Sequence, residues 1–159
     1  MLQISLIITL LCVLIDQIIK IIVMGTMSIH TSIPVIDNFF SLTYVENDGA
    51  AWSIFSGNRV FLVIISIIAL FLVYFYIFKN QNIKKFEFVN YSILIGGIFG
   101  NLLDRIKFGK VIDYLDFKVF GYNFPVFNFA DICIVVSVIL LLIYCIKDRS
   151  ESKNAEDSN

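Results

Sequence analysis

Three aspartates, Asp113, Asp116 and Asp131, fall within the stretch VIDYLDFKVFGYNFPVFNFAD (111–131), which separates two long apolar runs. A carboxylate next to hydrocarbon is costly to desolvate, so each needs a partner or a chemical task. Two carboxyls brought together cannot both ionise cheaply, and one keeps its proton. The ionised member can take a proton from water as it attacks a carbonyl, while the protonated member stabilises the oxyanion and helps the amine leave. Asp113 and Asp131 stand where membrane segments emerge, and their types and positions suit the paired acids of a membrane-embedded aspartyl peptidase. Such a dyad titrates as a unit. Asp131 falls in the first turn of an expected helix, whose dipole favours the anion. Asn128, three residues earlier, shares its face and is placed to cap that turn. Asp116, among aromatics, reads as a solvated loop acid.

Other catalytic chemistries find few residues. His30 is the one histidine and has no partner in the sequence, so it receives no role. Cys12, Cys133 and Cys145 all lie in apolar runs and read as small buried hydrophobes. No Ser–His or Cys–His nucleophile, metal-ligand spacing or phosphate-binding loop is apparent. No metal and no cofactor are expected.

The elements that must position these acids follow from composition and periodicity. The chain has 159 residues, 58% of them hydrophobic and only 16% charged, with sixteen Phe. That balance is too oily for a solvated surface and indicates one integral membrane domain. A net charge of −1 gives no reason to expect nucleic acid as a partner.

The first span covers about 3–24 and reads as retained, because it lacks a basic leader and a small-residue cleavage site. Within it Asp16 and Lys20 are four apart with the acid first, so they form an ion pair that holds this helix against others. Residues 25–58 mix β-formers with turn residues and read as short strands outside the membrane. At their end, Asn47-Asp48-Gly49-Ala50-Ala51-Trp52 reads as a hairpin turn at the interface. There Gly49 permits close backbone approach to a ligand and Trp52 suits the aromatic belt.

A second span, 60–78, carries no charge, and a third covers about 87–105. Gly96 and Gly100 form a small-xxx-small pair there, and Asn101, Asp104 and Arg105 share a face at its end. An outer loop, 106–126, leads to a fourth span at about 128–146, and a charged, disordered tail covers 147–159. The expected fold class is an all-α membrane protein with a small β element.

Four spans place both termini on one side. Lys79, Lys84, Lys85, Lys147, Arg149 and Lys153 on that side outnumber Arg59, Arg105, Lys107, Lys110 and Lys118 on the other by six to five. The positive-inside rule therefore leans towards cytoplasmic termini and an outer site. With that topology the outer ends of spans one, three and four converge with the loop carrying Asn47. Two other readings remain at this level. A transporter would use Asp16, Lys20, Asp104 and Arg105 as a relay, but would spread them through the membrane depth rather than gather them at one side. A structural assembly factor would lose folding rather than turnover when its carboxylates are removed.

With these residues laid out, the chain resembles the lipoprotein signal peptidases (signal peptidase II), bacterial membrane aspartyl peptidases. Asp16-Gln17 with Lys20 resembles that family's first-helix motif, and Asn47-Asp48-Gly49-Ala50-Ala51-Trp52 its N-x-G-A-A-aromatic box. Gly100-Asn101-Leu102-Leu103-Asp104-Arg105 is similar to its G-N-x-x-D-R box. Val111-Ile112-Asp113-Tyr114 and Phe127-Asn128-Phe129-Ala130-Asp131 are similar to its two aspartate motifs. Glu46 departs from the neutral or basic residue expected before the second box.

The resemblance implies Asp113 and Asp131 as the catalytic pair, with Asn47, Gly49, Asn101, Arg105 and Asn128 lining the site. Asp16, Lys20 and Asp104 are read as structural polar residues. It implies a monomer in the bacterial cell membrane, in contact with lipid. The implied substrate is a prolipoprotein whose lipobox cysteine already bears diacylglycerol, cut on the amino side of that cysteine. It further implies an extracytoplasmic β-cradle from 25–58 and a short outer helix in the loop between spans three and four.

Overall fold

Helix α3, Lys85–Phe108, is the element on which the others are assembled in the computed structural model, which describes residues 2–50, 54–80 and 83–157. Half of its apolar window is buried, against 6% for α2, Arg59–Lys79. Helices α1, Leu2–Thr26, and α4, Phe129–Asp157, pack on α3 and on each other, whereas α2 packs chiefly on α3. All four are long and apolar enough to cross a membrane, and most of their exposed surface is Leu, Ile, Val and Phe. In hydrocarbon such a surface is solvated as it stands, so close approach between helices must come from small residues.

The α3 glycines make that approach. A Cβ at Gly96 would lie 2.6 Å from the Cys12 Cβ of α1, and one at Gly100 would lie 2.6 Å from the Asp16 carboxylate. One at Gly97 would meet the Ala130 carbonyl of α4 at 2.5 Å. The Gly96/Gly100 pair therefore seats α1, as its spacing predicts, while Gly97 seats α4. Of the cysteines, Cys133 is buried and Cys12 partly so, but Cys145 is exposed. Most of the apolar run around Cys145 is likewise exposed.

The β element is a four-stranded antiparallel sheet in the order β1-β2-β3-β4. Strands β1, Ser32–Ile36, and β2, Phe40–Asn47, come from the region expected to form strands. The other half, β3 (Val111–Val119) and β4 (Tyr122–Asn123), comes from the loop between α3 and α4. That loop holds no helix, contrary to expectation. Its β-branched and aromatic residues suit a pleated, half-buried surface. Phe120 and Gly121, at φ 50° and 82°, also close a two-residue hairpin of the type that matches strand twist. Val23 of α1 packs with Tyr44, Ile112 and Tyr114 to seat the sheet on one end of the bundle.

Three further expectations need correction. Asp116 is a strand residue, half-buried and accepting a 2.7 Å hydrogen bond from the Thr43 hydroxyl, rather than a solvated loop acid. Helix α3 runs past 105 to Phe108, where Gly109 at φ 80° caps it in the left-handed region. Helix α4 continues to Asp157, through most of the expected disordered tail, because no Gly or Pro interrupts it. Ala51 and Trp52, read as part of the interfacial turn, lie outside the described residues.

Candidate active site

Helix α4 opens against groups from two other elements and its own cap residue, and its first turn carries one of the two acids. Four N–H groups at a helix start have no intrahelical partner. Here the Phe129 N–H donates to the Tyr114 hydroxyl at 3.1 Å, and the Ala130 N–H donates to Asp16 Oδ1 at 3.1 Å. The Asp131 N–H donates to Asn128 Oδ1 at 3.0 Å, while Asp131 Oδ2 accepts the Asn128 N–H at 3.2 Å. Asn128 and Asp131 thus form a reciprocal cap, and the cap expected from their spacing is present. Its effect is to hold Asp131 at the positive end of the α4 dipole.

Asp113 arrives from the sheet. The β2–β3 register sets Asn47 opposite Val111 and Val45 opposite Asp113, so Asn47 and Asp113 are diagonal neighbours on one face. Asn47 Nδ2 donates to Asp113 Oδ2 at 3.0 Å, and Asn128 Nδ2 donates to Asp113 Oδ1 at 2.6 Å. Asn47 is held in turn by the Gly49 N–H, which donates to its Oδ1 at 2.9 Å.

Asn101 joins the two halves. Its Nδ2 donates to Asp131 Oδ1 at 2.7 Å, and its Oδ1 accepts from Asn128 Nδ2 at 3.1 Å. One asparagine pair therefore touches both carboxylates. The orientation of both amides is set below it, where Lys20 Nζ donates to Asn101 Oδ1 at 2.9 Å.

That lysine is almost fully buried between Asp16, at 2.8 Å, and Asp104, at 2.7 Å. The expected Asp16–Lys20 ion pair is present, with Asp104 as a third member. Two anions around one cation leave an excess negative charge, which is met by hydrogen-bond donors. Gln17 Nε2 donates to Asp104 Oδ1 at 2.9 Å and to Asp16 Oδ2 at 3.2 Å, and the Ile112 N–H donates to Asp104 Oδ2 at 3.3 Å. Asp104 thereby ties β3 to α3 at the residue next to Asp113.

Arg105 reaches over the site from α3. Its Nη2 donates to the Gly49 carbonyl at 3.0 Å. Its Nε is buried without a hydrogen-bond partner among the described residues. Glu46, on the neighbouring rim, accepts from Lys110 Nζ at 2.9 Å and from the Tyr44 hydroxyl at 3.2 Å, and the Lys110 ammonium holds its carboxyl below the usual range.

The two acids have unlike settings. Asp113 is 2% exposed, and burial, then the nearby Asp131 charge, push its carboxyl up to about 7. Asp131 is less completely buried. Chemically the pair offers one carboxyl in a dry position and, beside it, a second nearer water.

Every site residue expected from the sequence is found in this constellation: Asn47, Gly49, Asn101, Arg105, Asp113, Asn128 and Asp131, with Asp16, Lys20 and Asp104 as its support. Sequence reasoning gave no role to Gln17 or to the Tyr114 hydroxyl. Gln17 sits between Asp16 and Lys20 in the chain, and its amide among buried charges was the available signal. Tyr114 carried none, since its partner is a backbone N–H on another element.

The family model described as Signal peptidase (SPase) II matches residues 8–147. A lipoprotein signal peptidase of Staphylococcus aureus is 44% identical over 153 residues, covering 96% of this chain and 93% of the relative. Two solved structures, each described as a bacterial membrane enzyme, superpose with TM-scores of 0.87 and 0.82 at 40% identity. They cover 92% and 91% of this chain and 90% and 93% of their own.

Proposed function

The chain belongs to the signal peptidase II family, proteases that remove signal peptides from prolipoproteins, and from that premise we propose that Asp113 and Asp131 are its catalytic dyad. The observation that carries this is the asparagine pair Asn101–Asn128, which hydrogen-bonds one carboxylate from each of two separate elements. A purely structural cluster would neutralise its acids with cations, as Asp16 and Asp104 are neutralised by Lys20. Neutral amides instead orient the dyad and leave its protons free to move.

In the reaction Asp131, ionised at the α4 N-terminus, takes a proton from water as the oxygen attacks the scissile carbonyl. Asp113, protonated in its buried position, donates to the carbonyl oxygen and stabilises the tetrahedral intermediate. The proton taken by Asp131 passes to the leaving amine as the C–N bond breaks, and Asp113 recovers its proton from the collapsing hydroxyl. Arg105 Nε and the Gly49 backbone hold the peptide chain beside the dyad.

The substrate is a prolipoprotein bearing diacylglycerol on its lipobox cysteine, cut on the amino side of that cysteine. Its acyl chains stay in the bilayer, which brings the scissile bond to the interface where the dyad lies. The termini are cytoplasmic, the dyad faces outward, and a monomer suffices because one chain supplies every site residue. A relay for transport is disfavoured, since the polar groups gather at one end of the bundle.

The test is cleavage of a lipidated prolipoprotein peptide by purified protein in detergent. Asp113→Asn and Asp131→Asn are each expected to abolish turnover while thermal unfolding stays near that of the parent. Near-normal rates in either variant would overturn the dyad.

A further inference from the structure

At the end of the bundle opposite the dyad, α2, α3 and α4 part around a cavity of about 400 Å³. Tyr76, Glu87, Tyr91, Tyr144 and Asp148 are among its lining residues. This is an unusual lining for a surface that otherwise meets lipid. Three tyrosine rings present π-faces and hydroxyls, and two carboxylates stand among them. Asp148 is paired with Lys84 at 2.8 Å, and the same ammonium lies 5.3 Å above the Tyr144 ring. The chain's own lysine thus displays how this wall holds a cation, by a carboxylate and an aromatic face together. Glu87, beside Tyr91, accepts the Lys84 N–H to cap α3 and has no ion pair among the described residues.

Distance along the bundle supplies the second argument. Asn101 and Glu87 are fourteen residues apart on α3, and Asp131 and Cys145, which also lines the cavity, are fourteen apart on α4. Fourteen residues are close to four turns, so each pair lies along one side of its helix, about 21 Å apart at 1.5 Å per residue. A signal peptide has a basic leading segment, an apolar segment of about 7–15 residues, and then its cleavage site. With the cleavage site at the dyad, a helical apolar segment at the upper end of that range, about 14 residues, carries the basic leader to the cavity.

We propose that the Glu87–Tyr91–Tyr76 side of this cavity binds the basic N-terminal segment of the substrate's signal peptide, a docking that rests on the peptidase reading above. Lysine or arginine from the substrate pairs with Glu87 and stacks on the tyrosines. Arg149 in the α4 lining, and Lys84 paired with the lining Asp148, keep the cavity close to neutral, so the contact favours a basic segment without trapping it after cleavage. The contact acts on substrate capture, and the dyad about 21 Å away performs the chemistry unchanged.

The experiment uses the full chain in phosphatidylcholine vesicles and two lipidated prolipoprotein peptides, one with lysines in its leading segment and one with glutamines there. The parent enzyme is expected to show the lower KM for the lysine peptide. Glu87→Gln keeps an oxygen for the α3 cap and is expected to raise that KM about two- to fivefold, the range of a partly exposed ion pair. Its kcat, and its KM for the glutamine peptide, should be unchanged, and Glu87→Lys should raise the lysine-peptide KM further. Equal KM values for the two peptides in the parent, or variants that shift both alike, would overturn the proposal. So would a KM that follows added phosphatidylglycerol regardless of the leading segment, which would assign the cavity to a lipid headgroup. Failure of the parent to cut either peptide would instead strike the peptidase reading itself.

Discussion

In the proposed reaction Asp113 and Asp131 divide the labour according to their exposure and the groups that hold them. Asp113 is desolvated and holds its proton up to about pH 7. Free in an unfolded chain it would ionise near ~3.9. The native protein therefore binds the extra proton between those values, and by linkage its stability falls as pH rises through that window. Activity should follow the same proton. With Asp113 as the proposed acid, the rate is expected to decline as pH rises through about 7 and it loses its proton, and a pH profile of kcat/KM checks this. Asn128 touches Asp113, Asn101 and the α4 cap at once. Removing hydrogen bonds to charged groups costs about 1.5–3 kcal/mol, so Asn128→Ala is expected to slow kcat about 10- to 100-fold. Loss of a cap adds about 1 kcal/mol of destabilisation, measurable as a lower Tm.

Among the elements, α3 sets the geometry because its glycines let two helices approach on different sides. Gly97→Ala places a Cβ 2.5 Å from the Ala130 carbonyl, a backbone atom that cannot yield without moving α4 and Asp131 with it. Overpacking of this kind costs about 1–3 kcal/mol, and thermal unfolding in detergent should show it together with a loss of rate. Gly25, near the end of α1, would meet nothing within 4 Å. The same substitution there should be neutral or stabilising by up to about 1 kcal/mol. The sheet contributes differently. The β2–β3 ladder shifts register between Leu42 and Val45, and the pairing beyond that shift is the one that brings Asn47 to Asp113. Periodicity announces strands near 40–47 and leaves their partner open, while the helix expected between α3 and α4 came from the family resemblance alone.

For the whole molecule, the buried Asp16–Lys20–Asp104 group joins α1, α3, β3 and the start of α4. Taking away its cation strands two carboxylates in a dry interior. Lys20→Met is expected to destabilise the protein by about 3–5 kcal/mol and, through Asn101, to disorder the dyad. Denaturation in detergent measures the first effect. The second predicts a loss of kcat in whatever fraction of the protein stays folded.

Much of this protein is already written in its linear order. Four apolar runs long enough to span, the small-residue pair on α3, the Asn128–Asp131 cap and the presence of acids beside the spans are local facts, set by hydropathy, helical spacing and the cost of a carboxylate near hydrocarbon. The tertiary structure alone decided the rest. It brought Gln17 and the Tyr114 hydroxyl to their partners, placed Asp116 in a strand, and turned the α3–α4 loop into half of the sheet. It also separated the two acids by burial, because desolvation depends on which elements close around a group, and no interval in the sequence carries that distance.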